Sequence, residues 1–255
     1  MSYDPRKISL SSSDQIDIRK KLYSKINNLK IPFHEKERSL GLFLRGSLLA
    51  RLLAINEIYS KIVEMPGSIC DFGAWRGQTA VVCENLRAIY EPFNYERRIF
   101  LFDTFEGYKG FKKNESNIKN FSDGTYSIEK NYEKELVEIL LLHEKMNIPN
   151  NFINKHKVYK GDVRKTLSRF LNERISYPLA LSFMDFNNET STFFTLEKIK
   201  KSLISGSIIV FWQFQRKEIP GDNKAFFKFI KKNPKTNFKI YKSKFYPSMS
   251  YVLVK

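Results

Sequence analysis

The run Ser68-Ile69-Cys70-Asp71-Phe72-Gly73-Ala74-Trp75-Arg76-Gly77-Gln78-Thr79 constrains this chain more than any other stretch. An apolar segment short enough for a buried strand gives way to a glycine-bracketed turn. A helical stripe then follows through Ala80, Val81, Val82, Asn85 and Leu86. Gly73 and Gly77 lack a Cβ, so the turn reaches backbone angles closed to other residues and admits a ligand against its backbone. The next helix points its free N–H groups and positive dipole end into the turn, which suits a carboxylate or phosphate. Asp71 adds an acid for an ammonium or hydroxyl. Acid-x-Gly-x-x-x-Gly is thus a nucleoside-cofactor turn, though short enough to occur in ordinary strand-to-helix connections too.

Two further segments repeat the theme. Arg98-Ile99-Phe100-Leu101-Phe102-Asp103-Thr104-Phe105-Glu106-Gly107 is an apolar run ending in an acid, at the spacing of a strand–helix–strand unit. An acid there is placed to accept the two ribose hydroxyls. Val158-Tyr159-Lys160-Gly161-Asp162-Val163 again ends a short run in Gly-Asp. One such carboxylate reads as a solvated strand-end cap; three in series favour a cofactor pocket.

This series resembles the class I S-adenosylmethionine-dependent methyltransferases, and within them the macrocin O-methyltransferase type that methylates deoxysugars. The resemblance is carried by Pro66-Gly67-Ser68-Ile69 leading into Gly73-Ala74-Trp75-Arg76-Gly77, by Asp103-Thr104-Phe105-Glu106-Gly107, and by Met184-Asp185 with Ser191-Thr192. Gly206-Ser207-Ile208-Ile209-Val210-Phe211 and Pro220-Gly221-Asp222 extend it, so that it spans roughly residues 45–230. It implies a Rossmann-like α/β fold: a mostly parallel seven-stranded sheet with helices on both faces and an N-terminal helical layer. It also implies S-adenosylmethionine as cofactor, held by Asp71, Gly73, Ala74, Trp75, Arg76, Gly77, Asp103 and Thr104, with Asp162 near the adenine.

At 255 residues the chain suits one large α/β domain, expected over 65–255 and preceded by a helical segment over 1–64, which the resemblance implies is a lid over the cofactor. Residues 1–12 are polar and Ser-rich. Ile16, Ile18, Leu22, Tyr23, Ile26 and Leu29 predict a helix from Ser13, ended by Ile31-Pro32, and a second helix is predicted over 47–64. Arg45 and Arg51 there read either as solvent-facing charges or as partners for a methionyl carboxylate. Strands are expected near 68–72, 99–103, 157–160, 179–184 and 206–212, with helices over 77–90, 129–146, 163–173 and 190–204. Two closing strands, 238–241 and 251–254, read as an edge hairpin. The segments 108–126 and 213–222 lie beyond strand ends, where open α/β sheets bind substrate, or are surface insertions.

The net charge of +17 reflects lysines scattered along the chain, a pattern that a compositional bias also produces. It favours an anionic or nucleotide-linked small substrate. Two cysteines, Cys70 and Cys83, form no disulfide framework or metal motif, and no apolar run is long enough to span a bilayer. A cytoplasmic protein without membrane insertion is expected. The sequence leaves the oligomeric state open, a homo-oligomer included.

In the resembled family, acids at the ends of the fourth and fifth strands bind a divalent metal. Asp185 matches the first of these, but Asn187 stands at the next, and Phe211-Trp212-Gln213-Phe214 occupies the place of an adjacent acidic pair. Hard cations want carboxylate oxygens, so no metal is expected. Asp185 is then the candidate base or a group that orients a substrate donor, Asn187 and Gln213 hydrogen-bonding partners of the acceptor, and Trp212 a stacking wall or a core aromatic. His143 is the histidine candidate for a base, beside a structural role, whereas His34 and His156 read as surface residues. Two rivals to O-methylation of a small polar acceptor stay open. A nucleic-acid methyltransferase of the common type needs an Asn/Asp-Pro-Pro-aromatic turn where Asp185-Phe186-Asn187-Asn188 stands. A non-catalytic cofactor-binding module would account for the missing acids but not for the intact turn.

Overall fold

A computed structural model describes residues 12–112, 115, 121–147, 154–173 and 177–255. The Ser-rich start and part of the 108–126 segment lie outside the described residues. The helices are α1 (Ser13–Asn28), α2 (Phe33–Ser39), α3 (Gly46–Tyr59), α4 (Gln78–Tyr90), α5 (Tyr132–Asn147), α6 (Val163–Glu173), α7 (Glu189–Ile199) and α8 (Gly221–Lys232). The strands are β1 (Ser68–Phe72), β2 (Ile99–Asp103), β3 (Lys157–Lys160), β4 (Leu179–Met184), β5 (Leu203–Phe211), β6 (Phe238–Lys242) and β7 (Ser250–Val254). They form one sheet in the order β3-β2-β1-β4-β5-β7-β6, parallel through β5, with β7 antiparallel to both of its neighbours, β5 and β6.

Strand alternation sorts the core into two layers. Ile69, Leu101, Leu181 and Val210 face α3, α4 and α5 through Ile55, Ile58, Ala80, Cys83 and Leu136. Cys70, Phe72, Phe100, Phe102, Met184 and Phe211 face α6, α7 and α8 through Leu167, Phe170, Leu196, Phe226 and Phe229. Both faces of β1, β2 and β4 are therefore covered, which is why these strands read as mostly apolar runs, with Asp71 and Ser182 buried among them.

Several expectations need correction. Between the two expected N-terminal helices the chain adds α2, with Pro32 at its N-cap position, and a 3-10 turn over Leu40–Phe43. The second expected helix starts at Gly46 and ends at Tyr59, short of Glu64. β5 starts at Leu203, because Gly206 lies inside the strand at φ +93° against the Met65 side chain rather than opening it. Residues 221–232, unassigned in the sequence, form α8. Among the described residues no single helix is long and apolar enough to cross a membrane; only the pair Phe33–Phe43 and Gly46–Tyr59 together reach that length, across a 92° bend.

Candidate active site

The carboxyl ends of β1 to β5 open into a cavity of about 620 Å³. Its floor is the glycine turn. Gly73 sits at φ +82°, and a Cβ there would lie 2.8 Å from the Asp185 carbonyl oxygen. The turn thus wedges between the ends of β1 and β4 with room for hydrogen only. Gly77, at φ +74°, is the N-cap of α4, and a Cβ on it would strike the Leu136 side chain. Trp75 also takes a left-handed φ of +49°; its ring stands edge-on to Tyr126 at the rim. Arg76 is held by Glu129 at 2.8 Å and lies over the Tyr132 ring.

Asp103 ties the second strand to this turn. Its carboxylate accepts the Trp75 N–H at 2.8 Å and the Phe105 N–H at 2.6 Å. Burial pushes its pKa up while those amides oppose the shift. Asp162 lines the far wall, its pKa lowered by the Arg164 guanidinium that donates to it. Ala74, Thr104 and Gln213 line the same cavity.

Asp185, just beyond β4, faces the cavity beside two partners. The Arg51 Nη2 lies 3.5 Å from Oδ2, and the Asn187 amide donates to Oδ1 at 3.0 Å. Burial raises the Asp185 pKa; Arg51 and Asn187 pull it back. Asn187 adopts φ +60° and donates as well to the Tyr108 hydroxyl at 2.7 Å. Tyr108 was not anticipated: it comes from an aperiodic loop, and only the fold sets it against Asp185. A carboxylate in this setting can take a proton from a hydroxyl presented in the cavity.

Four expected positions lie elsewhere. Trp212 is fully buried and absent from the cavity wall. It stacks on Phe183 and carries the Arg51 guanidinium on its face at 3.6 Å, a cation–π contact that aims Arg51 at Asp185. Its place is the core, one layer behind the cavity wall. His143 lies on the α4 side, 3.3 Å from Asn85, and does not reach the cavity. His156 is no surface residue: its Nδ1 accepts the Ile99 N–H, so Nε2–H donates to buried Glu84 at 2.9 Å. Asp71 sits behind the turn, 2% exposed, with one carboxylate oxygen unpartnered.

Burial lifts the Asp71 pKa from 3.8 to about 7, against the pull of Arg51. The fold thus favours the protonated acid. Between pH 4 and 7 the unfolded chain ionises this group while the folded chain keeps its proton, so stability falls as pH rises and then levels off. Asp71→Asn removes that fall. The melting temperature of Asp71→Asn minus that of the parent chain is expected to increase from pH 4 to pH 7; a constant difference contradicts this assignment.

No family model matches the sequence, and no curated protein sequence matches it. Solved structures do. The chain is 28% identical to the crystal structure of CalS11, a calicheamicin methyltransferase, with a TM-score of 0.89 over 99% of this chain and 97% of that one. A second structure, apo CalS11, described as a TDP-rhamnose 3′-O-methyltransferase of calicheamicin biosynthesis, is 27% identical with a TM-score of 0.81 over 98% and 99%. The O-methyltransferase NovP, 14% identical with a TM-score of 0.60 over 80% and 79%, shares the fold. Sheet order, glycine turn and near-complete likeness to CalS11 agree: this chain is a class I S-adenosylmethionine-dependent methyltransferase of the macrocin O-methyltransferase type.

Proposed function

We propose that this enzyme methylates a hydroxyl of a nucleotide-linked sugar, with Asp185 as general base, no divalent ion, and residues 1–64 forming a lid over the site. The observation that carries the reading is the likeness to a TDP-sugar O-methyltransferase along 98% of this chain and 99% of that one. The cavity fits the cofactor: Gly73, whose missing Cβ lets the turn close against the Asp185 backbone, lines it at the β1 end, and Asp103 and Asp162 line it on the β2 and β3 side. When bound there, S-adenosylmethionine supplies an electrophilic methyl group on its sulfonium.

The protein's own share is placement and proton removal. Asp185 accepts the acceptor's hydroxyl proton on a carboxylate oxygen; Asn187 and Arg51 hold that carboxylate in position and favour its ionised form. A divalent ion fits poorly. Among the described residues no three His, Cys, Asp or Glu side chains converge to hold one, and Arg51 already places a positive charge beside Asp185. Hard cations need several oxygen ligands.

The test is methyl transfer from labelled cofactor to a panel of TDP-rhamnose, free rhamnose and RNA. Label is expected in TDP-rhamnose or a related sugar nucleotide. Label in RNA alone would favour the nucleic-acid rival, and cofactor binding without transfer to any sugar nucleotide would favour the non-catalytic one.

A further inference from the structure

We propose that Arg45 and Arg216, joined by Arg19, form an anion subsite that takes the diphosphate of the acceptor. The inference rests on the sugar-nucleotide reading and locates the substrate's charged half. The three arginines come from separate elements: Arg19 from α1, Arg45 from the residue capping α3, and Arg216 from the turn after β5. All three line the one cavity.

Their guanidiniums are under-used. The Arg45 Nε and the Arg216 Nη2 are buried donors without a hydrogen-bond partner among the described residues. Arg45 bonds to the Ser47 hydroxyl, and among the described residues no carboxylate pairs with it or with Arg19. Among the described residues the Arg216 guanidinium has only the Glu218 carboxylate, at 3.8 Å. The other cavity arginines are engaged: Arg51 by Asp185 and Trp212, Arg76 by Glu129. A buried donor left unpaired is costly, so the site is built for an acceptor that arrives with the ligand. Phosphate oxygens match arginine's planar fork. The N-terminus of α3 has no side-chain cap and adds its free N–H groups on the same wall.

Topology gives the direction. The cavity's carboxylates Asp162, Asp103 and Asp185 follow the ends of β3, β2 and β4, whereas Arg216 lies past β5. Neighbouring strands are about 4.8 Å apart. A sugar hydroxyl presented to Asp185 therefore puts the anomeric phosphate roughly one strand further on, over β5 and away from the acids.

The cofactor's carboxylate is an anion too, and the experiment separates the two. Calorimetry measures thymidine diphosphate, thymidine and S-adenosylhomocysteine binding to the parent chain, Arg45→Ala, Arg216→Ala and the conservative Arg45→Lys. Each alanine variant is expected to weaken thymidine diphosphate about 10–100-fold, the scale of a charge-assisted hydrogen bond. Thymidine and S-adenosylhomocysteine affinities should hold, the latter doubling as a check of folding, and Arg45→Lys should recover part of the loss. Unchanged thymidine diphosphate affinity in both alanine variants overturns the subsite. So does a loss confined to S-adenosylhomocysteine, which makes these arginines cofactor ligands. A parent chain that binds S-adenosylhomocysteine but no thymidine diphosphate overturns the sugar-nucleotide reading itself.

Discussion

Asp185→Asn lowers turnover by about 10²–10⁴-fold, the usual contribution of a positioned base, while cofactor affinity stays nearly unchanged. The amide keeps the shape and its contact with Asn187 but takes no proton. A loss in kcat with little change in KM marks an interaction that matters only as the proton leaves. The pH profile carries the same information with a definite sign. Burial raises the Asp185 pKa, so the base is progressively protonated as pH falls. In the parent chain kcat/KM should therefore drop on the acid side, below a pKa above the ordinary carboxylate range. Asp185→Asn should lose that limb. Near-parental turnover in Asp185→Asn removes the carboxylate from the mechanism. His143 is then no substitute, since it lies outside the cavity.

Gly73→Val abolishes cofactor binding. Two effects add. A β-branched residue is strained at φ +82°, and its Cβ would lie 2.8 Å from the backbone oxygen of Asp185. That oxygen belongs to the chain segment that carries Asp185, the proposed base, so relief of the clash moves the turn and the β4 end apart. Calorimetry with S-adenosylhomocysteine reads the outcome, with circular dichroism confirming a folded chain. A Gly73→Val variant with parental affinity would mean that the turn does not touch the cofactor. Gly77→Ala is the instructive contrast: its Cβ meets a Leu136 side chain, which can shift, rather than backbone.

The layering of the fold was legible because burial on both faces writes itself as mostly apolar runs: Ile69 to Phe72, Ile99 to Phe102 and Leu179 to Met184 each became a central strand, with Asp71 and Ser182 buried inside them. Helix α8 was not, since Phe226 and Phe227 stand side by side among lysines and blur the 3.6-residue period; the first is buried and the second half exposed. Gly206 misled in the other direction, reading as a strand's start when it lies inside one. Trp212 shows how alternation decides a role. It lies two residues beyond Val210, on the same face, and so continues the core layer that packs against α3. Gln213, one residue on, turns to the cavity.

The acids of the site announced themselves at strand ends. Of its cations, Arg45 and Arg51 read either as solvent-facing charges or as carboxylate partners and Arg19 and Arg216 went unmarked, because the four are scattered through the chain and only the packing of α1 and α3 over the sheet gathers them. Arg51 gains its meaning from Trp212, a contact 161 positions away in sequence that no local pattern announces.

The most direct test of the account is methyl transfer to TDP-rhamnose, or the sugar nucleotide that best replaces it, by protein stripped and assayed in excess chelator. The account predicts full turnover, a labelled sugar hydroxyl, and no gain on adding Mg²⁺ or Mn²⁺. Turnover that vanishes with the chelator and returns with the ion would contradict it, since Asp185 beside Arg51 would then be serving a metal rather than the acceptor's proton.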